Sequence, residues 1–169
     1  VEEVLAEIGQ GAISLSGAQN VAVFIRHTDD SVTCPWYQGL SDHYIKQACA
    51  QARDLPGGKL LYGLGPVLLP EIKQISVTSP NRQLAEIEGI AAYGIWPMVY
   101  EGRVIAAVGC YYPHAHHWTT AEEEVMQAFT RQAAVALKNA ELFEKVKTDA
   151  EKLGALYEIG KDITNTLEL

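Results

Sequence analysis

IWPMVYEGRVIAAVGCYYPHAHHWTTAEEEVMQAFTRQAAVALKNA, residues 95–140, decides the fold. Two apolar runs, 95–100 and 104–112, flank a Glu101-Gly102-Arg103 break, and Val99, Val104, Ile105 and Val108 are β-branched, a pattern that predicts a hairpin. A His-containing loop follows, and then a long helix. Thr119 or Thr120 can cap it, Glu122 and Glu123 stand in its first turn, and Val125, Phe129, Ala133, Ala136 and Ala140 recur at helical spacing. A strand pair that feeds straight into a long helix calls for a sheet on which that helix can lie.

Upstream, residues 1–15 place Val4, Leu5, Ile8, Ala12 and Leu15 on one helical stripe, with Gly9 and Gly11 weakening its later turns. Residues 20–26 form a β-rich run, 28–31 a polar turn, and 32–38 a partner strand. Ser41 or Asp42 can then cap a helix through Tyr44, Ile45, Ala48, Cys49 and Ala52, ended by the Pro and two Gly of residues 55–58. Residues 65–69 read as a short strand closed by Pro70, and residues 75–80 as loop. A further helix starts at Ser79 or Asn81 and runs through Leu84, Ile87 and Ile90. The expected class is α+β, with an antiparallel sheet, helices on both faces and a long C-terminal helix.

The 169 residues, 48% apolar and 20% charged, suffice for one ordinary core with an extension. Thirteen Lys and Arg against 21 Asp and Glu give a net charge of -8, which opposes binding to a phosphate backbone and excludes nucleic acid as the main partner. Cys34, Cys49 and Cys110 are an odd number with no close pair, as expected for a reducing compartment, and no secretory leader is visible at the start, so the expected location is cytoplasmic. Pro97 and the polar turn at Glu101 and Arg103 interrupt the most apolar stretch, 90–113, so no membrane span is expected where about 20 apolar residues are needed.

Several short motifs in this order resemble the GAF domain. They are Gly39-Leu40-Ser41 after the second strand, Gly65-Pro66-Val67 before Pro70-Glu71-Ile72, Glu88-Gly89-Ile90 before a strand with Pro97, Gly102 in the hairpin, and the QAAVALKNA run of residues 132–140. The resemblance spans residues 1–144 and implies a sheet of about six strands. It also implies a ligand pocket on one side, closed by the middle helices, and terminal helices on the other side that form a homodimer. The implied role is a cytoplasmic sensor in signal transduction, as in two-component systems, upstream of an output domain in the same full-length chain. Residues 145–169 read as a linker helix with a near-heptad apolar seam, leading into a following domain whose opening helix resembles that of a second GAF domain.

Candidate ligand residues are the aromatic and apolar side chains expected to border that pocket: Phe24, Trp36, Tyr44, Leu69, Tyr93 and Trp96. No cofactor is named by the sequence. The cyclic-nucleotide-binding branch has an Asn and a Lys before a Phe and an acidic pair after it. Here Trp118 takes the Phe place and Glu122 and Glu123 the acidic pair, while the Asn and Lys have no counterpart. The bilin-binding branch needs Cys followed by His, and no cysteine here has that neighbour.

His43 is a candidate haem ligand, and His114, His116 and His117 could meet a metal, although a solvated His-rich loop is the simpler reading. Cys110 sits in an apolar strand, Cys49 on the apolar stripe of a helix and Cys34 beside Pro35, so no catalytic residue is assigned. The alternatives to a ligand sensor are a ligand-free dimerisation module and a haem-binding or cysteine-redox GAF domain.

Overall fold

A computed structural model describes residues 1–52 and 63–167. Its elements are α1 (Glu2–Ser16), β1 (Asn20–Arg26), β2 (Val32–Gln38), α2 (Asp42–Gln51), β3 (Val67–Leu69), a single 3-10 turn (Ile72–Gln74), α3 (Pro80–Glu88), β4 (Ala92–Tyr100), β5 (Arg103–Tyr112) and α4 (Thr120–Leu167). The strands pair antiparallel in the order β2-β1-β5-β4-β3. The described residues therefore hold five strands, where the family resemblance implied about six. The Pro and Gly expected to end α2, residues 55–58, lie outside the described residues.

Residues 95–140 do what their pattern requires. Glu101 and Gly102 take φ of 48° and 75°, a two-residue turn of the handedness that matches strand twist, and β4 pairs with β5 along its whole length. Thr119, not Thr120, caps α4. The Thr119 hydroxyl accepts from the Glu122 amide at 3.2 Å while the Glu122 carboxylate accepts from the Thr119 amide at 2.7 Å. Glu122 thus has a structural duty, and that bond is the main cause holding its carboxyl below the usual range.

The sheet separates two apolar layers. On one face lie α1 and α4, packed through Leu5, Ile8, Ala12, Met126, Ala133, Ala134 and Leu137 onto Val21, Val23, Met98, Val108 and Cys110. On the other lie α2, α3 and the 3-10 turn, packed through Tyr44, Ile45, Leu84, Ala85 and Ile72 onto Ala22, Phe24, Tyr93 and Tyr111.

Three details depart from the sequence pattern. The stripe that α4 buries is Met126, Thr130, Ala133, Ala134 and Leu137, while Val125 and Ala136 are exposed. Both sides of α4 are apolar, so periodicity alone does not say which one meets the sheet. Helix α3 stops at Glu88 because Gly89 turns left-handed at φ 76°, and Ile90 then packs into the core from outside the helix. Ile87, on the expected stripe, is 78% exposed.

The glycines of α1 have a purpose that propensity hides. A Cβ at Gly9 would overlap the Trp36 ring, and one at Gly11 would sit 2.9 Å from the Phe129 ring. Their absence lets α1 settle onto β2 and α4. Gly9→Ala is expected to cost about 1–3 kcal/mol through overpacking, despite alanine's better helix propensity. Urea unfolding measures this, and a stabilised variant would contradict the close approach.

Candidate functional site

The structure sorts the six candidate ligand residues by face. Phe24, Tyr44, Leu69 and Tyr93 come together in the layer under α2 and α3. Trp36 and Trp96 do not join them: both lie in the α1/α4 layer, which corrects their assignment to the same pocket. Strand alternation is the reason. Tyr93 and Trp96 are three residues apart on β4 and so point to opposite faces. On β2 an irregularity opposite Phe24 inserts an extra residue, which leaves Cys34 in the α2/α3 layer while Trp36 turns to α1.

Tyr111, which is not among the six, is at the centre of the site. It stands directly opposite Tyr93 in the β4–β5 ladder, with ring centroids 6.3 Å apart, and meets the Tyr44 ring edge-on at 5.6 Å. The hairpin alone does not give it: counting back from the turn pairs Tyr93 with Cys110, and an irregularity between Met98 and Val99 shifts the register by one residue to Tyr111. All three tyrosines are buried. Burial is the main cause raising each phenol above its usual range, reinforced at Tyr111 by the neighbouring Tyr44 hydroxyl. They are neutral at physiological pH and offer O–H donors in an apolar setting.

The start of α2 is fixed across this layer. Ser41 caps α2, its hydroxyl accepting from the Tyr44 amide at 3.1 Å. The Glu88 carboxylate, at the end of α3, accepts from both the amide and the hydroxyl of Ser41, the latter at 2.7 Å. One carboxylate therefore ties α3 to the helix that carries Tyr44.

The thiols are unsuited to nucleophilic work. Burial pushes Cys34 and Cys110 up to about 12 and raises Cys49 as well. For Cys110 the unfolded thiol ionises near 9.0 and the folded one near 12, so its contribution to stability is complete below pH 9. It is lost as pH rises toward 12, at about 1.4 kcal/mol per pH unit. Unfolding free energies measured from pH 8 to 11 are expected to fall, and Cys110→Ala to flatten that limb; an equally steep variant would contradict it.

The histidines divide. His43 and His114 are exposed, which removes the position His43 needed as a ligand inside the pocket. His116 is not simply solvated: it stacks on Tyr112 at 4.0 Å and 9°, meets Trp118 edge-on at 4.7 Å, and has its Nε2 3.6 Å from Glu122. Its backbone amide donates to the Pro70 carbonyl at 3.1 Å, and His117 Nε2 is 3.8 Å from Glu71. Among the described residues no group of three His, Cys, Asp or Glu side chains is placed to hold a metal ion. Trp118, in the place of the cyclic-nucleotide-branch Phe, packs in the α1/α4 layer, away from Tyr44 and Tyr93.

A sheet with a buried aromatic site under its middle helices and terminal helices on its reverse is the arrangement implied by the motifs. The profile of the GAF domain matches residues 1–137. The chain belongs to the GAF family. No curated protein matches it in sequence. Solved structures similar to this GAF domain include a domain from a two-component sensor histidine kinase protein of Sinorhizobium meliloti 1021, at 20% identity and TM-score 0.75, covering 87% of this chain and 97% of that one. A GAF domain/HD domain protein from Geobacter sulfurreducens is similar at 17% identity and TM-score 0.68, covering 83% and 94%. A GAF domain from Synechocystis, solved in its photoproduct state, is similar at 14% identity and TM-score 0.67, covering 85% and 97%. At these identities the likeness is one of fold.

Proposed function

We propose that this GAF domain is a non-catalytic sensory module of a signal-transduction protein. A small organic ligand with a hydrogen-bond acceptor binds on the α2/α3 side, against Phe24, Tyr44, Leu69, Tyr93 and Tyr111. The observation that carries this reading is the convergence of three buried, neutral tyrosines on one face of a sheet whose other face holds the terminal helices. The similarity in fold to a domain of a two-component sensor histidine kinase protein points the same way.

The relay follows from β5. Tyr111 faces the site, while its neighbour Tyr112 faces α4, stacks on His116 and leads to Trp118 and the Thr119–Glu122 cap. A displacement of Tyr111 moves Tyr112, the next residue, and through the His116 and Trp118 rings it reaches the start of α4. The two packings of α1 and α4 that result are discrete states biased by the ligand.

In this reading α1 and α4 pair with those of a second copy, residues 1–144 form the domain, and residues 145–169 carry the signal to a following domain of the same protein in the cytoplasm. Within the described residues α4 runs unbroken across that boundary, and no helix is long and apolar enough to cross a membrane. The second reading is a ligand-free dimerisation module, favoured by the close ring contacts of Tyr44 and Tyr93 with Tyr111.

Thermal unfolding in the presence of a library of small organic molecules separates the two. A ligand at a hundred times its Kd adds about 2.7 kcal/mol, which raises Tm by about 5–10 °C. The Tyr44→Phe, Tyr93→Phe double variant is expected to lose that response. A response that survives in the variant overturns the site, and no response to any compound favours the dimerisation module.

A further inference from the structure

The segment 113–119 joins the end of β5 to the cap of α4, and one residue in it is held from several sides. The His116 imidazole stacks on the Tyr112 ring, with centroids 4.0 Å and planes 9° apart, and meets the Trp118 ring edge-on at 4.7 Å. The His116 amide donates at 3.1 Å to the carbonyl of Pro70, the residue that follows Leu69 at the end of β3. Its side chain is 23% exposed, yet Nε2 itself is shut off from solvent and has no hydrogen-bond partner among the described residues. A buried nitrogen without a bond costs free energy, so its retention calls for a reason. Glu122 Oε1 stands 3.6 Å from it, just too far for a bond.

We propose that His116 is a proton-operated clasp between the end of β3 and the start of α4. The step is a protonation. A proton from solvent adds to the neutral ring, which becomes an imidazolium with an N–H on both nitrogens, and Nε2–H donates to Glu122 Oε1. A charge-assisted bond of this kind is about 2.8 Å long, so the two groups need close by only about 0.8 Å. The carboxylate accepts it without giving up the helix cap, because Oε2 serves the Thr119 amide and Oε1 is the oxygen nearer the imidazole. The aromatic rings beside the imidazole favour a cation there as well. With the ring neutral, His116 holds Pro70 alone, through its backbone; with the ring charged, the same residue holds Glu122 too. No ligand is needed for this.

The groups that face His116 give the direction of the response. From α4 comes Glu122, whose carboxyl is held below its usual range chiefly by the Thr119 amide, so it is already a carboxylate where imidazoles gain a proton, between about pH 5 and 8. From β5 comes Tyr112, whose hydroxyl donates to the Ser16 carbonyl at 3.1 Å and is pushed up to about 12, mainly by burial, so it stays neutral. From the segment after β3 comes Glu71, which is 3.8 Å from the neighbouring His117. That histidine is 72% exposed, and its pair with Glu71 is a surface contact of little strength. His114 is exposed. The carboxylate of Glu122 therefore dominates at Nε2, and acid tightens the clasp while rising pH releases it. Because Leu69 packs in the α2/α3 layer, the clasp links that layer to α4 by a route separate from Tyr111 and Tyr112.

Two-dimensional NMR of the full chain from about pH 8 to about pH 5.5 tests this, a range that covers imidazole protonation and stays above that of carboxylates. The backbone amide signals of Thr119 and Glu122 and the indole signal of Trp118 are expected to move together with the His116 ring as it takes up its proton. Over the same range the Tm of the parent chain is expected to rise by about 2–4 °C relative to that of His116→Phe. His116→Phe keeps an aromatic ring on Tyr112 and takes up no proton. Glu122→Gln keeps an oxygen for the Thr119 amide and removes the charge, so it decides the matter even where the first variant folds poorly. Both variants are expected to lose the Thr119 amide response. A response of that amide that survives in Glu122→Gln or in a folded His116→Phe overturns the clasp. So does a parent chain in which the His116 ring does not titrate in this range, or titrates while the Thr119 and Glu122 amides stay still.

Discussion

Trp96→Ala is expected to lower the unfolding free energy by about 3–5 kcal/mol and Tm by about 10 °C or more. Trp96 has no exposed surface and fills the layer between β4 and the α1/α4 pair, so truncation leaves a large cavity that rigid strands and two helices do not close. Tyr93→Phe, three residues away on the other face, removes one hydroxyl and is expected to cost about 1 kcal/mol. The contrast tests the partition of the faces. Thermal unfolding by circular dichroism measures both, and a Trp96→Ala loss no larger than that of Tyr93→Phe would show that Trp96 is not in the packed layer.

The second large effect concerns the proposed dimer. Val135 and Leu142 lie on the exposed side of α4, turned away from the sheet, and Val135→Glu combined with Leu142→Glu places four glutamates there in a symmetric pair. Desolvating unpaired carboxylates costs several kcal/mol, so association is expected to weaken by about a thousandfold or more, about 4 kcal/mol. Both positions are about half exposed in the single chain, so its fold and Tm are expected to change little. Sedimentation velocity over a range of concentrations reads the result, and a double variant that dimerises as the parent chain does would place the contact elsewhere.

Much of the architecture was legible because local rules and tertiary packing agree. The β-rich runs give β1 and β2 with the bounds read from sequence, Ser41 caps α2, and the Glu101–Gly102 turn joins β4 to β5. The site was only partly legible. Phe24, Tyr44, Leu69 and Tyr93 gather as expected, but listing aromatics by segment ignores strand alternation, which sends Trp96 to the other face. Trp36 was harder, because an irregularity at Cys34 and Pro35 in β2 shifts its parity, and its mark in the sequence is Pro35, a residue that strands hold at edges and bulges.

Tyr111 carries more of the site than either tryptophan, and it was hidden in the same way: the register counted from the turn pairs Tyr93 with Cys110, and the irregularity between Met98 and Val99 moves the pairing to Tyr111. The sheet-facing stripe of α4 was hidden for a different reason. This helix is apolar on two sides, one stripe against the sheet and one along the exposed seam, and a single-period reading blends them. His116 likewise looked like loop in a His-rich stretch, and its stacking on Tyr112 depends on where β5 ends and the α4 cap begins.

The most direct test of a sensory dimer is native mass spectrometry of the protein as purified from cells, with an absorption spectrum of the same sample. The expected result is a dimer carrying extra mass of small-molecule size on each chain, lost in the Tyr44→Phe, Tyr93→Phe variant. Bare chain mass would contradict the sensory reading: a bare dimer would leave a dimerisation module, and a bare monomer would remove both.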